Sequence, residues 1–207
     1  MKNNTYVLYG ASGHCKVILD IIKLIGGQVK FIVDDDNSKE ELLGVSILSA
    51  DAIKSVHSNL AISIGCNQTR KEIVDSIESD VYATLIHPKS TIDSTVKVKE
   101  GTVIMAGSVI NSSTVIGKHC IVNTSASIDH DCVIGDFVHI SPNATLCGNV
   151  AVGEGSHIGA GSVIIQGINI GKNVVVGAGS VIVSDVPDNV TIIGNPGKIL
   201  KNNHDKL

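Results

Sequence analysis

Residues 103–138 decide the fold, and they read VIMAGS VINSST VIGKHC IVNTSA SIDHDC VIGDFV when the chain is cut into blocks of six. The same register holds without interruption through 17 blocks over residues 85–186, and the second residue of every block is Ile, Val or Leu. A period of six is typical of a parallel β-helix, in which three blocks form one triangular coil. We therefore expect the second position to point inward and small or turn-forming residues to occupy the corners.

The first 84 residues follow a different pattern, in which short apolar runs alternate with segments of helical periodicity. The apolar runs predict strands at 6–9, 29–33, 45–48, 60–65 and 81–87. The segments between them predict helices at 14–25, 49–57 and 67–78. This alternation indicates an α/β half-Rossmann domain at 1–84, with a small parallel sheet, followed by an all-β domain at 85–207 that contains the parallel β-helix and a C-terminal tail.

Composition excludes several classes of protein. The net charge is −4 and there is no basic block, which argues against binding nucleic acid or anionic membrane surfaces. No apolar run approaches the ~20 residues that a membrane-spanning helix needs, and the N-terminus does not resemble a signal peptide. Five scattered cysteines without a CxxC motif favour a reducing compartment, so we expect a cytoplasmic protein. The sequence leaves open whether Cys15, beside a glycine-rich turn, is reactive.

Three predicted strands of the α/β domain end in residues that suit a nucleotide. The turn GASGH (10–14) joins a strand to a helix, which points free N–H groups and a helix dipole at one spot. Asp34 and Asp35 close the second strand about 20 residues later, where a nucleotide-binding sheet places an acid for the ribose. Gly65 ends a further strand. An ordinary βα turn and an acidic surface loop are the structural alternatives, because the full GxGxxG pattern is absent.

His130 is the candidate for acid–base chemistry in the β-helix. It occupies the fourth position of its block, near a corner, so its side chain should point away from the apolar core. Asp129 and Asp131 flank it, and a neighbouring carboxylate raises the proton affinity of an imidazole, which suits a general base. A solvated corner histidine is the structural alternative. Zinc binding by His119, His130 and His139 is a further reading, but no two of them have the tight spacing of zinc ligands.

These segments together resemble the NeuD/PglD-type sugar acetyltransferases, within the hexapeptide-repeat acyltransferases. The resemblance is carried by YGASGH, FIVDDD, IGCNQTR, NTSASIDHDCVIGDFVHISPNATLCGNV and VGAGSVIVSDVPDNVTIIGNPGK, which span almost the whole chain. It implies a left-handed β-helix, a homotrimer with active sites between subunits, acetyl-CoA as co-substrate and a nucleotide-linked amino sugar as acceptor. Gly197 stands where relatives usually carry Ala, and Asp131 stands where some carry Glu.

The resemblance also implies roles for individual residues. His130 would be the general base, and Asp131 would raise its basicity. The acetyl-CoA would be contacted by His139, Gly148, Ala160 and Ala178. The acceptor would be contacted by Ala11, Ser12, Gly13, Asp34, Asp35, Gly65 and Gln68.

The expected reaction is N-acetylation of a nucleotide-linked 4-amino-4,6-dideoxy sugar. O-acetylation of a sialic acid or related sugar hydroxyl is the alternative within the same class. A zinc enzyme that hydrates carbon dioxide and a non-catalytic sensor of sugar nucleotides are alternatives from other classes.

Overall fold

The computed structural model of the chain describes residues 4–36, 38–55, 59–77 and 82–202. Its contacts divide the chain into two compact units, Met1–Pro88 and Lys89–Leu207. No helix among the described residues is both long and apolar enough to cross a bilayer.

The first unit is a five-stranded sheet with helices, in the strand order β3-β4-β2-β1-β5. All neighbouring strands are parallel except β3 and β4. Strands and helices follow in the order β1 (Thr5–Tyr9), α1 (Gly13–Leu24), β2 (Gln28–Asp34), β3 (Glu41–Leu42), β4 (Val45–Ser49), a 3₁₀-helix (Ala50–Ser55), β5 (Asn59–Ile62) and α2 (Asn67–Ser76).

Burial of one face explains why these segments are ordered. Helix α1 buries Cys15, Ile18, Ile21 and Ile22, a stripe at helical spacing. The central strands β1 and β5 end in buried apolar residues, as expected for a parallel sheet covered by helices. The sheet thereby brings the carboxyl ends of β1, β2 and β5 side by side, where the three candidate loops begin.

Most predicted elements of this unit are present, with two differences. The predicted helix at 49–57 is a short 3₁₀-helix, Ala50–Ser55, and residues 56–57 lie outside the described residues. Strand β3 has only two residues, too few to show an alternating pattern, and the sequence did not predict it. Of the predicted strand at 81–87, residue 81 lies outside the described part, and Leu85–Ile86 is a strand.

The second unit is a solenoid of two-residue strands on three faces. The first face contains Thr91–Ile92, Val109–Ile110, Ser127–Ile128, Thr145–Leu146, Val163–Ile164 and Val181–Ile182. The second contains Lys97–Val98, Val115–Ile116, Val133–Ile134, Ala151–Val152 and Asn169–Ile170. The third contains Leu85–Ile86, Val103–Ile104, Ile121–Val122, His139–Ile140, His157–Ile158, Val175–Val176, Val190–Ile193 and Lys198–Asn202.

The register of the solenoid confirms the period of six. Each strand pairs in parallel with the strand 18 residues further on, so that Ile128 faces Ile110 on one side and Leu146 on the other. Every second-position residue from Ile104 to Ile182 is buried, with at most 3% of its surface exposed. The C-terminal segment closes the last coil, because Val190–Ile193 pairs in parallel with Val175–Val176 and antiparallel with Lys198–Asn202.

The corners explain the remaining positions of each block. The fifth position of many blocks adopts a positive φ, and this is where Gly, Asn, Asp or Ser recurs. The sixth position is buried as well, which the sequence did not reveal because it is often Ser or Thr. These hydroxyls donate to carbonyls of the next corner: Thr102 Oγ1 to Gly117 O at 2.8 Å, and Thr114 Oγ1 to Asp129 O at 2.8 Å.

Candidate active site

His130 and Asp131 form an exposed pair at one corner of the solenoid. Nδ1 of His130 lies 2.7 Å from Oδ2 of Asp131, and the two side chains are 56% and 58% exposed. Asp131 holds the left-handed fifth position at φ 59°, which Asp tolerates better than most residues. The structure therefore confirms that the imidazole points outward from the core.

Gly148 provides the surface on which this imidazole rests. It lies one coil beyond His130, and a Cβ built on it would come within 2.7 Å of both Cε1 and Nε2 of His130. The backbone of the coil continues past the ring, because Asn149 N donates to His130 O at 2.9 Å. With Nδ1 held by Asp131, Nε2 is the nitrogen left to exchange a proton with a substrate.

The charges around His130 favour its protonated form. The hydrogen bond from Asp131 raises the pKa of His130 above its ordinary value, and the charge of Asp129 adds to this rise. Asp129 is itself held ionised, because hydrogen bonds from the Asn111 side chain and the His130 N–H lower its pKa. The two carboxylates thus make the imidazole a stronger base than a free histidine.

Unoccupied backbone N–H groups lie at the same kind of corner position. Gly148, Ala160 and Ala178 each occupy the fourth position of a block. Within the described residues none of these three N–H groups donates a hydrogen bond. Ala160 and Ala178 are exposed and one coil apart. Such N–H groups are suited to bind the carbonyl oxygens of an extended ligand.

His139 lies on the third face and is 9% exposed. Its Nε2 is 3.0 Å from the side-chain nitrogen of Asn123, and its ring lies against that of His157, with 4.7 Å between centroids. Nε2 of His157 is in turn 2.8 Å from Ser141 Oγ. The sequence predicted His139 as a site residue but missed Asn123, whose place beside His139 follows from the 18-residue offset between coils.

The three histidines considered for zinc have separate surroundings. His119 is buried and stacks on Phe137 with 5.1 Å between ring centroids, whereas His130 pairs with Asp131 and His139 packs on His157. Among residues 4–36, 38–55, 59–77 and 82–202, no group of three or more His, Cys, Asp or Glu side chains is placed to hold a metal ion.

The α/β unit brings the predicted acceptor residues together at the ends of β1 and β2. Ala11 N donates to Oδ2 of Asp34, and Oδ1 of Asp34 accepts from Asp36 N at 2.9 Å. Asp34 therefore holds the glycine-rich turn in place. The neighbouring Asp35 is exposed, and its Oδ1 accepts a hydrogen bond from the hydroxyl of Tyr9 at 3.0 Å.

The loop after β5 lies beside this turn. Gly10 has a φ of 105°, and a Cβ there would meet the side chain of Ile64. Gln68 is exposed at the start of α2 and donates to Glu72 at 2.7 Å. A Cβ at Gly13 or at Gly65 would meet no atom within 4 Å, so both glycines border open space.

Three residues beside these loops were missed by sequence reasoning: Tyr9, His14 and Arg70. Nε2 of His14 is buried and accepts or donates no hydrogen bond among the described residues. Burial lowers the pKa of His14 to about 4, and the charge of Arg70 contributes to the shift. His14 and Arg70 stand inside the motifs GASGH and IGCNQTR, and that is the signal by which they could have been found.

A three-faced solenoid of hexapeptides with an outward, carboxylate-paired histidine defines the class of hexapeptide-repeat transferases. Comparisons with known proteins support the class. A family model of the PglD N-terminal domain matches residues 6–77, and a model of bacterial transferase hexapeptides, with six repeats, matches residues 113–148 and 131–166. A search of curated proteins found no match.

Solved structures match nearly the whole chain. A variant of perosamine N-acetyltransferase from Caulobacter crescentus, in complex with CoA and GDP-perosamine, is 34% identical with a TM-score of 0.89, over 96% of this chain and 97% of that one. The acetyltransferase domain of PglB from Neisseria gonorrhoeae FA1090, in complex with acetyl coenzyme A, is 35% identical with a TM-score of 0.87, over 96% and 100%. WeeI from Acinetobacter baumannii AYE is 30% identical with a TM-score of 0.86, over 95% and 99%.

The chain therefore belongs to the NeuD/PglD family of sugar N-acetyltransferases, and its solenoid is the left-handed β-helix of that family.

Proposed function

We propose that this protein transfers the acetyl group of acetyl-CoA to the amine of a nucleotide-linked 4-amino-4,6-dideoxy sugar, with His130 as the general base. The observation that carries the proposal is the geometry of one corner. Asp131 fixes Nδ1 of His130 at 2.7 Å, and the ring lies against Gly148 with Nε2 left for a substrate.

Each step of the reaction has a group in place. The sugar amine attacks the thioester carbonyl while Nε2 of His130 accepts the proton that the amine loses. The Gly148 N–H, which has no partner within the described residues, donates to the oxygen that becomes negatively charged. When the C–S bond breaks, the imidazolium returns its proton to the departing CoA sulfur. Asp131 stabilises the imidazolium in between.

The acetyl-CoA site is proposed to follow the solenoid. The N–H groups of Ala160 and Ala178 are exposed one coil apart, a spacing that suits the amide-containing arm of CoA. His139 would contact the acetyl end. The support from relatives is that homologous structures contain CoA or acetyl coenzyme A.

The acceptor site is proposed to lie at the carboxyl ends of β1, β2 and β5. The contacting residues are Ala11, Ser12, Gly13, Asp34, Asp35, Gly65 and Gln68. Asp35 is the residue proposed to meet the nucleoside, because it is exposed and oriented by Tyr9, while Asp34 is occupied by the turn. A relative in complex with GDP-perosamine supports a nucleotide-linked amino sugar.

We further propose a cytoplasmic homotrimer with active sites between subunits. Val133 and Val175 are 55% and 41% exposed on the outside of the solenoid, and packing of neighbouring prisms would cover such residues. Size-exclusion chromatography with light scattering tests this, and a monomer at micromolar concentration would contradict it.

The substrate test is a panel of UDP-, GDP- and dTDP-linked 4-amino-4,6-dideoxy sugars, with free sialic acid included, each incubated with acetyl-CoA. Release of CoA thiol and the mass of the product identify the acceptor. We expect transfer to the amine of one sugar nucleotide. Transfer to sialic acid alone would establish O-acetylation instead, and binding of sugar nucleotides without any transfer would indicate a sensor.

The test of the base is His130→Ala, with Ser112→Ala as a matched control. Ser112 occupies the same corner one coil earlier and is also exposed. We expect His130→Ala to lose about 10²–10⁴-fold in turnover with the oligomer and acetyl-CoA binding retained. Ser112→Ala should stay within about twofold of the unmodified protein. A His130→Ala variant with nearly full turnover would refute the assignment.

A further inference from the structure

We infer that Arg70 is a positioning residue for the acceptor: its buried guanidinium holds the loop 63–66 in the conformation that presents Gly65 and the start of α2 to the sugar nucleotide. The inference rests on the acceptor site proposed above.

The contacts of Arg70 lead to this loop. The residue belongs to α2 and is 2% exposed, which is rare for an arginine. Its Nη1 donates to Ile64 O at 3.0 Å and to Gly65 O at 3.2 Å, and its Nη2 donates to the side chain of Asn67 at 2.8 Å. One side chain thus joins two carbonyls of a non-regular segment to the first turn of the helix that follows.

The loop has a fixed side and an open side. On the fixed side, Ser63 N donates to Tyr9 O at 2.7 Å, and the Ser63 hydroxyl lies 2.8 Å from Tyr9 O and 2.6 Å from Gly10 O. These bonds fasten the loop to the glycine-rich turn. On the open side, a Cβ at Gly65 would meet nothing within 4 Å. Arg70 therefore holds the loop from behind while its front borders free space.

Stability alone is a poor explanation for a buried guanidinium. Removing such a charge from water is unfavourable, and an apolar side chain of similar volume often serves a core equally well. What the guanidinium offers is a planar fork of donors that fixes two or three acceptors at defined angles. The charge of Arg70 also reaches the glycine-rich turn, since it contributes to the lowered pKa of His14.

The experiment compares Arg70→Lys and Arg70→Met with Ile73→Val. Lysine keeps the charge but not the fork, and methionine keeps the volume alone. Ile73 is buried one turn further along α2, so its trimming weakens the same packing without touching the loop. For each full-length variant we measure steady-state kinetics, the melting temperature, binding of UDP, GDP and dTDP by calorimetry, and hydrogen exchange of the amides in 63–68.

We expect both Arg70 variants to raise the acceptor KM by about 10–100-fold, since misplacement of about 1 Å is enough for such losses. The KM for acetyl-CoA should stay unchanged, exchange in 63–68 should accelerate, and the nucleoside diphosphate that binds the unmodified protein should bind more weakly. Ile73→Val should alter only the melting temperature. An unchanged acceptor KM with unchanged exchange, or an equal rise in both KM values, would overturn the inference, as would full rescue by lysine.

Failure of the inference can be told apart from failure of the proposed function. If the unmodified protein transfers no acetyl group but binds a nucleoside diphosphate, and both Arg70 variants weaken that binding, the function falls and the positioning role stands. If transfer is normal in every Arg70 variant, the positioning role falls and the function stands. If the unmodified protein binds none of the three nucleoside diphosphates and acetylates no sugar nucleotide, both are wrong.

Discussion

Gly148→Ala tests the contact on which the proposed chemistry depends. The added methyl carbon would lie 2.7 Å from both Cε1 and Nε2 of His130. Carbon atoms in ordinary contact are about 3.5–4.0 Å apart, so one of the two groups must withdraw by about 1 Å. The exposed imidazole is the group that moves, because it can swing into solvent whereas the coil backbone is held by its neighbours.

The size of the effect follows from this displacement. Misplacing a catalytic group by about 1 Å can reduce turnover by about 10²-fold, which corresponds to about 2.7 kcal/mol in the barrier. Gly148 has no positive φ, so alanine introduces no backbone strain there, and its N–H is retained. We therefore expect a melting temperature within about 2 °C of the unmodified protein, as for an ordinary surface substitution.

The assay is steady-state release of CoA thiol with the acceptor identified by the panel, together with calorimetry for acetyl-CoA binding. The double variant His130→Ala/Gly148→Ala is the control. If the methyl group acts only through the imidazole, the double variant is as slow as His130→Ala and the two effects are not additive. Full activity of Gly148→Ala, or a double variant much slower than His130→Ala, would refute the reasoning.

Three further predictions follow from the same structure. Asp131→Asn removes the main cause of the raised pKa of His130, and because the base must be unprotonated, the fall of kcat/KM at acid pH should move to lower pH; an unchanged profile would contradict this. Brief alkylation followed by mass mapping should label the exposed Cys66, whose pKa is lowered chiefly by a hydrogen bond from Thr69, before the buried Cys15, whose pKa burial raises to about 11. Ile140→Ala should destabilise the β-helix by about 2–5 kcal/mol in chemical denaturation, and a loss below 1 kcal/mol would show that the second position is not core.

The sequence predicted the solenoid well because every level of its structure repeats. One residue in six had to face inward, and all such residues from Ile104 to Ile182 do. The sixth position escaped notice because serine and threonine look like surface residues. In the structure Thr102 and Thr114 are fully buried, and each hydroxyl is satisfied by a carbonyl of the next corner.

The same regularity explains how much of the candidate site was predictable. Position four of a block implied that His130 points outward, and an offset of 18 residues placed Gly148 beside it. In the α/β unit no such period exists. The hydrogen bond from Tyr9 to Asp35 joins residues 26 apart, and the bonds of Arg70 depend on how α2 follows β5. Such contacts arise from packing, which propensity and periodicity do not encode.

Asp131 shows how a demand of the fold and a demand of the chemistry meet in one residue. The corner requires a left-handed backbone, which favours Gly, Asn and Asp, and the base beside it requires a carboxylate. Aspartate alone among these three meets both conditions, and its short side chain reaches Nδ1 of His130 without leaving the corner. A glutamate here would keep the charge but would have to adopt a less favourable backbone conformation or place its carboxylate further out. The corner geometry thereby restricts which acid can orient the proposed base, and we infer that this restriction, rather than the charge alone, fixes the tautomer that leaves Nε2 free to accept a proton.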